Sequence, residues 1–189
     1  IGRVKQDQFD KSDERPVDEL LCELRIIQDI VSLSHRCSVN WDHKTEWNNR
    51  VHTKVLELAL GNDETRVGFR SVTAARTTPE HRPTHSNSLT TGKIVDYITH
   101  LEPFSPSRDI ISSLLGMSTD SINHVGYEGL RARPIAVSIE TKTESRIVEE
   151  MKVQLGAWVV AQVVRIEALE RPIAPFGLRS RQQRYRPAD

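Results

Sequence analysis

Residues 134–142, PIAVSIETK, constrain this chain more than any other stretch. They are rich in β-branched residues and alternate as a strand does, which puts Ile135, Val137 and Ile139 on one face. The other face then carries Ala136, Ser138, Glu140 and Lys142. The stretch behind it, 145–169, repeats Ile147, Val148, Met151, Leu155, Trp158, Val159, Ala161, Gln162 and Ile166 at helical spacing. A strand that feeds a long helix directly calls for a sheet to join and a layer of helix to cover it.

The rest of the chain supplies both. Leu20, Leu21, Leu24, Ile27, Ile30 and Val31 predict a helix from about Pro16 to Ser34. A second helix is predicted from Thr45, as N-cap, to Leu60, with Trp47, Val51, Val55, Leu58 and Leu60 on its apolar face and Gly61-Asn62 as its stop. Residues 66–76 and 93–101 read as strands, 77–92 as a long polar loop, Ser107–Leu115 as a short helix and 118–133 as irregular. Helices before and after a few strands give an α/β domain over 14–170, a small mixed sheet flanked by helices. Residues 1–13 read as a flexible tail. Residues 171–189, with five Arg and one Asp, read as a basic C-terminal tail.

Charge narrows the function classes. Lys+Arg and Asp+Glu are both 26, so no polybasic surface covers the domain and any nucleic-acid patch must be local. Cys22 and Cys37 offer neither a disulfide framework nor a C-x-x-C zinc pattern, which favours a reducing, intracellular setting, nucleus or cytoplasm. The longest apolar run, Trp158–Val164, is too short to span a bilayer, so no membrane partner is expected. No phosphate-cradling G-x-x-x-x-G-K-[ST], dinucleotide G-x-G-x-x-G, H-E-x-x-H or G-x-S-x-G occurs. Seven histidines are scattered without ligand spacing.

What remains is charge inside apolar strands. Asp96 lies among Ile94, Val95, Tyr97 and Ile98, where an isolated carboxylate is disfavoured and needs a partner. Glu140 and Lys142 project the same way, about 7 Å apart along their strand. Asp96 and Glu140 could together hold Mg²⁺ through oxygens, with Lys142 orienting water or offsetting transition-state charge. That is the chemistry of metal-assisted phosphodiester hydrolysis. Acid-x-Lys triplets also occur at Asp42-His43-Lys44, in a polar link, and at Glu150-Met151-Lys152, within the long helix. Only the triplet at 140–142 closes an apolar strand. The plainer reading of the same residues is a salt bridge between Glu140 and Lys142 at a strand end, with Asp96 as a loop-proximal charge. Asn123 and His124 read as a loop-capping pair with Tyr127, and Trp47 and Trp158 as core.

SINHVGYEGLRARPIAVSIETK followed by VQLGAWVVAQ resembles the fungal PD-(D/E)XK nuclease-like domain family. TEWNNRVHTKVLELAL resembles its first core helix, RSVTAAR its first strand and KIVDYITHL its acidic strand. The likeness spans roughly 14–165. It implies a restriction-endonuclease-like core, Mg²⁺ or Mn²⁺ as cofactor, and nucleic acid, DNA before RNA, as partner. It assigns Asp96 to the acidic position, Glu140 and Lys142 to the E-x-K, and Glu46 to the helical acid that faces the metal. Gln154 falls on a glutamine-x-x-x-tyrosine-like helix, with Trp158 where those relatives have Tyr. The superfamily core carries a further strand after the long helix. Residues 171–189 show no apolar alternation, so the sheet is expected to lack that last strand or to be completed differently. The superfamily also includes silent members, and a domain that only binds nucleic acid or protein is the alternative function.

Overall fold

The computed structural model describes residues 15–61, 66–82, 95–117, 119–142 and 148–170. Among them run helices α1 (Val17–Val39), α2 (Lys44–Trp47), α3 (Thr53–Leu60), α4 (Ser107–Met117) and α5 (Val148–Glu170), and strands β1 (Val67–Ser71), β2 (Tyr97–Leu101) and β3 (Ile135–Ile139). A π-helical turn, Asn48–His52, joins α2 to α3, so Lys44 to Leu60 is one unbroken helical run. It begins one residue before Thr45, behind His43, which makes no side-chain cap bond. It ends as expected at Gly61, whose φ of 70° suits a residue without Cβ. Residues 1–14, 83–94 and 171–189 lie outside the described residues, and with them the two expected tails, most of the expected 77–92 loop, the first residues of the expected 93–101 strand, and any further strand after α5.

The described strands form one antiparallel sheet in the order β1-β2-β3. Gly68 sits opposite His100. A Cβ at Gly68 would come within 2.7 Å of the His100 ring, so the closeness of that pair requires glycine. β2 and β3 pair regularly from Tyr97–Ile139 to Thr99–Val137, then slip so that His100 faces Ile135. Ala136 is the extra residue. This corrects the expected alternation of β3. The bulge reverses parity, so Ile135 packs in the core while Val137 is 54% exposed. Ser138 turns to α5 and accepts the Trp158 indole N–H at 2.8 Å.

The core lies between the sheet and α5. It gathers Val72, Ala75, Val95, Ile98, Val125, Leu130, Ile135 and Trp158. Trp158 is a core residue, as its position on α5 predicted, and its ring meets His124 edge-on at 4.5 Å. Asn123 organises the loop beneath. Its Nδ2 donates to the carbonyls of Leu130 (2.6 Å) and Arg133 (2.8 Å), and its Oδ1 accepts the Ile135 N–H at 3.0 Å. The other face of the sheet is covered by the helical run from Lys44 to Leu60. α1 forms as its periodicity predicts and extends to Val39, but its stripe is not buried among the described residues: Leu24 is 49% and Val31 63% exposed.

Candidate active site

Asp96 stands one residue before β2, at the junction of all three strands. Its carbonyl accepts the Val72 N–H at 2.9 Å and its N–H donates to the Ile139 carbonyl at 3.0 Å. These bonds hold the Asp96 backbone between the ends of β1 and β3. Its side chain turns into the layer of the Lys44–Leu60 run and is almost fully buried. A carboxylate there needs donors. Oδ1 accepts Asn48 Nδ2 at 3.1 Å, and Oδ2 accepts the Thr141 N–H at 2.7 Å and lies 2.7 Å from the Lys44 ammonium. Burial pushes the Asp96 carboxyl up, but hydrogen bonds from Lys44 and Thr141 outweigh it and hold its pKa below the ordinary value.

Glu140 reaches the same point from the end of β3. Its side chain is only 2% exposed. Oε1 lies 2.8 Å from Lys44 Nζ and 3.0 Å from Lys142 Nζ. Oε2 is buried with no hydrogen-bond partner among the described residues. Lys44 is thus the shared cation of both carboxylates. Burial lowers its pKa and the hydrogen bonds to Asp96 and Glu140 raise it by more, so the ammonium is held charged. The cluster contains two carboxylates and two ammoniums, with no net charge.

Asn48 joins the pieces. Besides donating to Asp96, its Oδ1 lies 2.7 Å from Thr141 Oγ1 and 2.8 Å from His52 Nδ1. Thr141 Oγ1 is also 2.9 Å from Asp96 Oδ2, and its single proton serves one of these acceptors at a time. In the π turn the Asn48 carbonyl accepts the Thr53 backbone N–H, and it also accepts Thr53 Oγ1 at 2.9 Å and Tyr97 Oη at 2.7 Å. Lys44, Asn48 and His52 recur every fourth residue, so one helix face looks into the cluster. Burial keeps the His52 imidazole below its usual pKa.

The structure therefore brings Asp96, Glu140 and Lys142 together. Glu46 lies two residues from Lys44 on the same helix, where side chains diverge, and pairs with the Nε of Arg50 on a more exposed flank. Gln154 is half-buried on α5, one turn before Trp158. Lys44, Asn48 and Thr141 are the residues that sequence reasoning missed. Lys44 and Asn48 share one legible signal, their i, i+4, i+8 spacing with His52, and Thr141 has none beyond its place between Glu140 and Lys142. Among the described residues, no three His, Cys, Asp or Glu side chains gather as a metal cage. The donors nonetheless suit a hard cation: two carboxylates already share one positive charge, and Glu140 Oε2 is left over. A cavity of about 620 Å³, lined in part by His81, Asp120, Tyr127, Arg131 and Arg165, includes none of these residues.

The family model for the PD-(D/E)XK nuclease superfamily matches residues 2–183. The chain belongs to that superfamily. No curated protein and no solved structure matches it. The Thr141 N–H, donated to Asp96 Oδ2, ties the Glu140-Thr141-Lys142 segment to Asp96. No helix among the described residues is long and apolar enough to cross a membrane.

Proposed function

We propose that this chain is a nuclease that hydrolyses phosphodiester bonds of nucleic acid, DNA first, with Mg²⁺ or Mn²⁺. The observation that carries this reading is the convergence of Asp96 and Glu140, from adjacent strands, on one cationic point, with Lys142 3.0 Å from Glu140. Asp96 and Glu140 would hold the divalent cation, which when bound neutralises charge on the scissile phosphate. Lys142, 19% exposed, would donate hydrogen bonds to water or a phosphate oxygen at the rim. Against the upward push of burial, hydrogen bonds from Lys44 and Thr141 hold the Asp96 pKa down, and the bond from Asn48 aims its carboxylate. Gln154 would line the approach. Glu46 can serve as a third acid only by leaving Arg50.

A catalytically silent nuclease-like domain is the second reading, and Lys44 favours it by standing between the two carboxylates. Cleavage of supercoiled plasmid and of a labelled single strand, with Mg²⁺, Mn²⁺ or EDTA, separates the two. The expected outcome is metal-dependent cutting that falls roughly a hundredfold or more in Asp96→Asn and Lys142→Ala. In Glu46→Gln and Gln154→Ala, cutting measures the roles read for those residues. No cutting by folded protein rejects the nuclease.

A further inference from the structure

The two carboxylates already hold a cation of their own. Lys44 Nζ is 2.7 Å from Asp96 Oδ2 and 2.8 Å from Glu140 Oε1. A Mg²⁺ ligated by those oxygens would stand about 2.1 Å from each, in the space the ammonium fills. Charge argues the same way. Asp96 and Glu140 are balanced by Lys44 and Lys142, so a divalent ion added to all four leaves an uncompensated double positive charge in a largely buried cluster. The helical position facing the carboxylates is 44, a lysine, while the acid of that run, Glu46, is engaged with Arg50.

We infer that Lys44 is an internal competitor of the divalent cation: the metal enters as the Lys44 ammonium leaves, and that exchange sets the chain's metal affinity. The inference rests on the metal-dependent reading proposed above. The exchange needs no movement of the backbone. Lys44 is the first residue of α2, its side chain is 31% exposed, and a four-carbon stem can carry the ammonium into solvent. A cation at the start of a helical run is unfavourable beside the free N–H groups there, so the carboxylates are what hold it inward. Lys142 touches Glu140 Oε1 and can stay. Glu140 Oε2, buried and without a hydrogen-bond partner among the described residues, offers an incoming ion an oxygen that the ammonium does not use.

The test is Mn²⁺ binding to the full chain, read from the electron paramagnetic resonance of free Mn²⁺. Lys44→Gln should bind at least about tenfold more tightly than wild type, Lys44→Glu more tightly still, and Lys44→Arg, which keeps the charge, no more tightly than wild type. Adding Asp96→Asn to Lys44→Gln should abolish the gain. A gain that survives Asp96→Asn, or a folded Lys44→Gln with wild-type affinity, overturns the inference. If Lys44→Gln is unfolded without metal, its melting temperature with Mn²⁺ replaces the titration: a larger rise than wild type supports the exchange, and no rise overturns it. The plasmid assay keeps the two proposals apart. Tight Mn²⁺ without cutting rejects the nuclease and leaves the exchange standing. Wild-type cutting with unchanged Lys44→Gln affinity does the reverse.

Discussion

Tyr97 and Ile98 are neighbours on β2, and both are almost completely buried, yet different forces bury them. Ile98 belongs to the core cluster with Val72, Ala75, Leu130 and Trp158, a layer in which shape and volume decide stability. Tyr97 faces the helical run. Its hydroxyl donates to the Asn48 carbonyl and lies 3.0 Å from Thr53 Oγ1, and its ring is tilted against Phe69. On that side each buried polar atom needs a named partner. The charged cluster lies in this second layer, where donors are already assembled. The apolar layer holds the sheet together, and the polar layer sets the charge state of what lines the site.

The largest expected effect tests the apolar layer. Trp158→Ala should cost about 3–5 kcal/mol of unfolding free energy, read from urea midpoints. Cutting and Mn²⁺ affinity per folded molecule should be unchanged. A loss of Mn²⁺ affinity in the folded variant would show that the two layers are not independent.

His124 is the polar intruder in that layer. It is fully buried, both ring nitrogens lack hydrogen-bond partners among the described residues, and burial, assisted by His81, lowers its pKa from 6.5 to about 4. A depressed histidine is neutral in the fold and charges more readily when unfolded. Its contribution is therefore complete above pH 6.5 and is lost as the pH falls towards 4, at about 1.4 kcal/mol per unit and about 3 kcal/mol in all. His124→Phe should flatten that limb of the stability profile, measured by thermal melts between pH 7 and 4. His52 and His81 are shifted the same way and leave a residual slope. Asp96, shifted down from 3.8, adds its own loss only at lower pH, and that limb should persist in the variant.

The smallest effect on stability, and the most specific on function, belongs to the polar layer. Asn48→Ala removes a hydrogen-bond partner of Asp96 Oδ1, of His52 Nδ1 and of Thr141 Oγ1, which keeps Asp96 Oδ2. It should cost about 1–3 kcal/mol. Unlike Trp158→Ala, it should also lower cutting per folded molecule. Equal activity in the two variants would break the comparison.

Periodicity and turn residues are enough to place the helices and the three described strands, because each is bounded locally. Asp96, Glu140 and Lys142 were legible because charge in an apolar strand demands a reason. The faces of β3 were not legible, since the extra residue at Ala136 answers to pairing with β2 and leaves no mark in β3's own sequence. In sequence Lys44 reads as part of a polar link, because its carboxylate partners lie far along the chain, at 96 and 140. The family resemblance points to Glu46 as the helical acid, and whether position 44 or 46 faces the sheet depends on the rotation of the helix. The π turn, which no composition announces, bears directly on that rotation.

That turn can also be seen as an adjustable coupling. A π turn amounts to one residue more than a regular helix would hold, and one residue is about 100° of rotation. With α3 fixed against the sheet, a lineage that lost one residue between Asn48 and His52 would swing Lys44 away from the carboxylates and present a different side chain to them. Single-residue insertion and deletion here could thus exchange the charge facing Asp96 and Glu140 while the strands that carry them stay as they are. Active and silent descendants of one scaffold would then differ by the phase of a single helix.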